Sequence, residues 1–189
     1  MKKRIMSIGI GVIAVVVILF AFGFFPAALI GRDIILYHDF STTAQALEQY
    51  QNTSKKAAGE SQLSASEVSD LRKSVLENMI ATVILEQYMR RENTYDTYAK
   101  NARELIASAL KSTNAATLPK ATDKLYGLGV EDFQQKILFP QALQDALRQG
   151  IEKDGKNFAD IVSEELRKPA VRTFVVPWYW QDGHLVSKK

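Results

Sequence analysis

The chain has 189 residues, no cysteine, and 24 basic against 21 acidic residues, for a formal net charge of +3. Without cysteine this sequence offers no disulfide, thiol nucleophile or thiolate metal site. Three of the basic residues are Lys2, Lys3 and Arg4. The remaining charges balance, so the alkaline isoelectric point argues poorly for nucleic-acid binding, which requires a basic face on the folded domain.

After Arg4, no charged residue occurs from Ile5 to Gly31. The segment Ile5–Phe25 is 21 residues long, and as a helix it would span about 30 Å, the thickness of a bilayer's hydrocarbon core. A cleaved secretory signal carries an apolar region of about 7 to 15 residues. Ala21-Phe22-Gly23 offers only a weak cleavage site, and the apolar run continues through Phe24 and Phe25. Residues 1–31 therefore read as a cytoplasmic basic tip and an uncleaved anchor. Residues 32–189 read as one extracytoplasmic domain, oriented by the positive charges at residues 2–4.

In the exported part, the β-branched stretch at 34–37 predicts a short strand. Ser41, Thr42 or Thr43 can then cap a helix to about Lys56, and a polar break with Gly59 follows. SASE at 64–67 is a capping-box pattern. Beyond it Val68, Leu71, Val75, Leu76, Met79, Ile80, Val83, Ile84 and Tyr88 recur at spacings of three and four. This predicts a long central helix ending near Arg90-Arg91. A further helix over 94–111 places Tyr98, Ala102, Leu105, Ile106 and Ala109 on one face. Pro119 suits the first turn of a helix to Tyr126. Another helix starts near Val130, meets Pro140 and runs to Ile151. Asn157 caps a short helix that Pro169 stops.

Residues 173–187 change period. Phe174, Val176, Trp178 and Trp180 alternate with Val175, Pro177 and Tyr179, and Asp182-Gly183 is a two-residue hairpin signal. Pro177 cannot donate to a ladder, which predicts an edge or a bulge there. The fold class is mainly α: a transmembrane helix, a helical domain, and a small β element made of the strand near 34–37 and the hairpin at 173–187.

Few residues suggest chemistry. In YGLGVEDF (126–133), Gly127 and Gly129 begin a dinucleotide-type glycine pattern, but Asp132 stands where its third glycine belongs. Glu131 and Asp132 would also put negative charge where a phosphate should sit. Gly127 reads more simply as a helix end. The only histidines are His38 and His184; they could meet if the terminal strands paired, though a polar residue beside a turn explains each. Glu164 and Glu165 read as a solvated helix face. No catalytic, cofactor-binding or metal-ligating residue is assigned.

Aromatic side chains are the remaining candidates, since they carry much of the energy at recognition surfaces. Tyr37, Phe40, Tyr95, Tyr98, Trp178, Tyr179 and Trp180 are the candidate peptide-binding residues. Burial in the core competes with that role for Trp178 and Trp180, while Tyr179 is the one expected to be exposed.

Two segments together resemble a known family. VLENMIATVILEQYMRREN (75–93) is similar to the long helix of the SurA N-terminal domain, found in periplasmic chaperones and membrane-anchored foldases. LYGLGVEDFQQKILFPQALQDALRQGI (125–151) resembles that family's helix–joint–helix, with Leu125, Gly129, Val130, Glu131, Asp132 and Phe133 matching in order. The likeness covers roughly residues 33–155. It departs at Tyr37-His38-Asp39-Phe40, where the family has a V-N-G-type turn. Residues 152–189 hold one histidine and nothing like the parvulin prolyl isomerase site that often follows in the family.

The resemblance implies a non-catalytic, chaperone-like module that binds unfolded or extended segments of exported proteins, held at the plasma (inner) membrane by residues 5–25 in the lipid bilayer. It implies no prolyl isomerase activity and no cofactor. The alternative is a structural or adaptor protein of the cell envelope that binds one folded partner.

Overall fold

In a computed structural model, residues 23–111 and 116–188 are described. The anchor expected over residues 5–25 falls almost wholly outside them. Among the described residues no helix is long and apolar enough to cross a membrane.

The chain is mainly helical, with small β elements from its two ends. Strand β1 (Pro26–Ile30) turns into β2 (Asp33–Leu36), followed by helices α1 (Tyr37–Ala57), α2 (Ala65–Arg91) and α3 (Tyr95–Lys111). Helix α4 (Leu118–Tyr126) precedes a continuous helical stretch: α5 (Val130–Phe133), a π-helical turn (Gln134–Leu138) and α6 (Phe139–Lys153). Helix α7 (Phe158–Arg167), β3 (Val171–Thr173) and the hairpin of β4 (Trp178–Gln181) and β5 (His184–Ser187) complete the order.

The apolar run does not end the folded domain's business at Arg32. Residues 26–30, expected in the anchor segment, form the central strand of an antiparallel sheet ordered β2-β1-β3. Pro26 is tolerated at the first position of the strand. Ile30 pairs with Asp33 across Gly31-Arg32, and Gly31 (φ 61°) takes the first turn position that favours glycine. The sheet therefore joins the two ends of the domain through β1, with Leu29 opposite both Ile34 and Arg172.

Helix α1 begins at Tyr37, four residues before the expected cap, and its N-cap Leu36 makes no side-chain bond. Backbone just before β1 replaces the cap: the N–H groups of Tyr37 and His38 donate to the carbonyls of Phe25 (2.8 Å) and Gly23 (2.9 Å). Two orphan donors of the first turn are satisfied that way. By contrast α2 starts as expected, with the Glu67 amide donating to Ser64 Oγ (3.3 Å) and the Ser64 amide donating to Glu67 (2.7 Å).

Gly127 ends α4 in the left-handed region (φ 65°), and its N–H donates to Asp123 O at 2.8 Å. The Gln49 amide also donates to the Asp123 and Lys124 carbonyls at 3.2 and 3.0 Å, which ties this helix end to α1. Four residues before Pro140, the carbonyl of Lys136 would clash with the proline ring in a regular α-helix. The chain widens there into the π turn, a common answer to such a clash.

Two apolar cores result. The first packs Ala27, Ala28, Ile30 and Ile35 of the sheet against Phe40, Leu76, Ile80 and Ile84, and closes with Val176, Trp178 and Leu185. The second holds Leu85, Met89, Ala99, Ala102, Leu143, Leu147 and Ile151. Helix α2, at 27 residues, spans both. Fully burying a side chain such as Leu76 or Leu147 contributes about 1.5–3 kcal/mol.

The C-terminal segment is shorter in strand than its alternation predicts. Beyond Thr173, which belongs to β3, the paired residues are 178–181 and 184–187, and Asp182 and Gly183 turn between them with φ of 51° and 89°. Residues 174–177 form an irregular loop, with Val175 at φ 52° and Pro177 exposed outside any ladder.

Candidate functional site

The expected aromatic site does not assemble. Phe40 (3% exposed) and Trp178 (6%) are core residues, with Tyr37 and Trp180 packed beside them. Tyr37 stacks on Phe25 with ring centres 4.8 Å apart, and Trp180 Nε1 donates to Leu166 O at 3.3 Å. Tyr95 and Tyr98 belong to the other core. The Arg90 guanidinium lies 4.4 Å over the Tyr95 ring, and the Tyr98 ring packs directly on Gly150. Tyr179 alone is exposed, at 41%, with its hydroxyl 3.1 Å from Gln181 Oε1. The other six residues pack in or against the two cores, because large aromatic surface is most stable out of water.

The histidines are also apart. His38 stacks with Phe24 in the first turn of α1, while His184 faces Gln181 in the terminal hairpin. Among the described residues no group of three or more His, Asp or Glu side chains is placed to hold a metal ion.

A different feature stands out: a groove of about 620 Å³ between α1, α2 and the π turn leading into α6. Leu47 of α1, Leu71, Met79 and Val83 of α2, and Ile137 and Pro140 beyond the joint supply apolar walls. The π turn shapes one rim, where it presents Gln135, Lys136 and Ile137. Hollows along α3 are more open, and the one beside Tyr98 is lined by Glu104, Lys153 and Asp154.

Set among the apolar walls is a small network of neutral polar groups. Gln144 Nε2 donates to Asn78 Oδ1 (3.2 Å) and Thr82 Oγ1 (3.0 Å), and Thr82 Oγ1 donates to Asn78 O (2.8 Å). Gln135 and Gln141 add further amides. At the rim Lys136 Nζ is shared by Asp39 (3.5 Å) and Asp132 (3.4 Å), so the cation is neutralised locally. Residues 62 and 66 positions apart in sequence meet here. No local motif announces such a site; only the polar interruption of α2's apolar stripe at Asn78 and Thr82 could have hinted at it.

The groups with shifted pKa lie elsewhere. Backbone and hydroxyl bonds from Ser64, aided by Lys55, hold Glu67 down to about 2 at the start of α2. Burial raises Glu86 against the opposing pull of Arg90. Burial also pushes Glu165 up, but bonds from Lys168 and Arg91 outweigh it and leave the carboxylate below its usual range. Glu165 is only 5% exposed, so the solvated face expected for it is not found. What the groove offers is apolar contact and neutral hydrogen bonding.

Comparison with protein-family models, curated proteins and solved structures finds no significant similarity for this chain.

Proposed function

We propose that this chain is a single-pass, membrane-anchored, extracytoplasmic holdase that binds extended apolar segments of exported proteins in the groove between α1, α2 and α6. The observation that carries the reading is the pairing of apolar walls with side-chain amides in one open groove. An extended peptide presents apolar side chains together with unpaired N–H and C=O groups. Asn78, Gln135, Gln141 and Gln144 can each donate and accept, so they satisfy a backbone without selecting a sequence. Met79 adds an adaptable contact suited to varied side chains. The near-neutral charge of residues 5–189 fits clients defined by apolarity.

The likeness of residues 75–93 and 125–151 to the SurA N-terminal domain supports the same class of function, without a parvulin site. The apolar segment at 5–25 would hold the domain beside chains leaving the membrane and raise its effective concentration there. The test is aggregation of an unfolded apolar client in the presence of the full chain in lipid nanodiscs. We expect aggregation to slow at near-stoichiometric ratios with no catalysis on a proline peptide. Unchanged aggregation with a folded protein overturns the reading.

A further inference from the structure

Four of the exposed large apolar side chains, Phe24, Ile34, Phe174 and Val175, lie on or beside the three-stranded sheet. Alternation along β1 turns Ala28 and Ile30 into the core, where Ile35 joins them. The intervening row, Ile34–Leu29–Arg172, therefore lies on the opposite, outward face. The next outward row pairs Leu36 with Pro26, and Phe174 extends it, with its N–H donating to Ala27 O at 2.9 Å. Exposure on and beside this face is high: Ile34 is 57% exposed, Phe24 51%, Phe174 37% and Val175 69%.

Val175 is the sharpest case. It is β-branched yet held at φ 52°, a conformation that such residues rarely adopt. The loop is fixed in that shape: Thr173 Oγ1 donates to Trp178 O (2.6 Å), and Lys188 donates through Nζ to Val176 O (2.8 Å) and through its amide to Pro177 O (2.8 Å). A strained backbone that displays an apolar side chain to solvent is the kind of cost that persists at a contact surface.

Two facts indicate what covers this face. Gly23-Phe24, on the edge of the face, belongs to the uncharged stretch that runs from Ile5 to Gly31. Three exposed cations flank the face: Arg32 in the β1–β2 turn, Arg172 in the outward row, and Lys188 at the loop. The neighbouring acid, Asp33, lies opposite Ile30 in the inward row and accepts from Gln87 Nε2 at 2.7 Å, off the outward face. Apolar side chains ringed by cations match the boundary of an anionic bilayer, where apolar groups enter to about 5–10 Å and cations meet head groups.

We infer that the outward face of the β2-β1-β3 sheet, with the Phe174–Val175 tip, lies on the surface of the bilayer in which the apolar segment is anchored. The inference rests on the anchor assigned to residues 5–25 and is independent of the groove. Tethering makes this contact intramolecular, so a face too small to bind lipid alone can dock stably. The domain is then fixed in orientation by two attachments.

The absence of cysteine allows single spin labels to be placed cleanly. The full chain is reconstituted in phosphatidylcholine vesicles containing phosphatidylglycerol, with one label at a time from Ile34→Cys, Val175→Cys, Glu104→Cys on α3, or Val15→Cys in the apolar segment. Accessibility to oxygen relative to a water-soluble nickel chelate reads membrane depth. The ratio is expected to rise several-fold at positions 34 and 175 over position 104, and to be highest at position 15. Membrane-like values at 15 with aqueous values at 34 and 175 overturn the docking while leaving the anchor intact. An aqueous value at 15 overturns both. Labels at 34 and 175 shielded from both reagents indicate a protein covering the face, which also overturns the inference.

Discussion

Arg91 Nη2 lies 2.8 Å from Glu165 Oε1, an ion pair that joins the end of α2 to the buried carboxylate of α7. Lys168 Nζ reaches the same oxygen at 2.9 Å. Burial alone would raise the Glu165 pKa, but these two cations lower it below the usual carboxylate value. Its contribution to stability is therefore fully present above the unfolded-state pKa. It is lost as pH falls through that value toward the folded one. Thermal unfolding of wild type and Glu165→Gln, compared between neutral and acidic pH, should show a stability gap that narrows as the pH falls below the ordinary carboxylate range.

Removing one partner tests the same contact at neutral pH. Arg91→Ala leaves Glu165 with Lys168 alone and should cost about 1–3 kcal/mol, the range for a hydrogen bond to a buried charged group. Urea unfolding monitored by circular dichroism measures it. A loss indistinguishable from that of Lys100→Ala, a surface change, would count against a structural role for the pair.

Strand β1 makes a sharper prediction about where the domain begins. Ala27, Ala28 and Ile30 are fully buried, and β1 pairs with both β2 and β3 as the sheet's central strand. A chain starting at Arg32 should lose cooperative unfolding, whereas one starting at Gly23 should retain it. Within the full chain, Ile30→Ala should cost about 2–5 kcal/mol, as buried Ile truncations do. Denaturant melts of the three proteins decide the matter.

At the start of α2, Ser64→Ala removes the hydroxyl that bonds Glu67 while leaving Lys55 in place at 3.3 Å. The Glu67 pKa should rise from about 2 but stay below the ordinary carboxylate value, because the Ser64 amide still donates to it. A carbon-detected NMR titration of the glutamate carboxyls reads this directly. No movement would show that the Ser64 amide, which alanine retains, and Lys55 set the value without the hydroxyl.

How much of this was legible in the sequence depended on the range of the interaction concerned. The capping box at Ser64, the helix end at Gly127 and the turn at Asp182-Gly183 are local, so a few neighbouring residues determine them. The start of α1 was misplaced because its first amides are satisfied by Gly23 and Phe25, in the segment that leads into β1. PAALI was absorbed into the apolar run because nothing in its five residues separates a buried strand from the end of a membrane helix. Its partners, Val171–Thr173, lie far along the chain. The aromatic residues chosen for recognition were mostly core, since bulk and apolarity serve burial and binding alike. The groove itself comes from Asn78, Thr82 and Gln144 meeting across two helices, a relationship no window of sequence contains.

The most direct test of the central claim is site-specific photo-crosslinking to an unfolded, apolar client in the membrane-reconstituted full chain. A photoreactive residue at Gln141 sits on the groove, and one at Lys100 sits on the exposed side of α3. We expect the client to be captured several-fold more strongly from position 141, and the excess to vanish when an unlabelled apolar peptide competes. Equal capture from both positions, or capture at 141 that the peptide does not reduce, would contradict peptide binding in the groove.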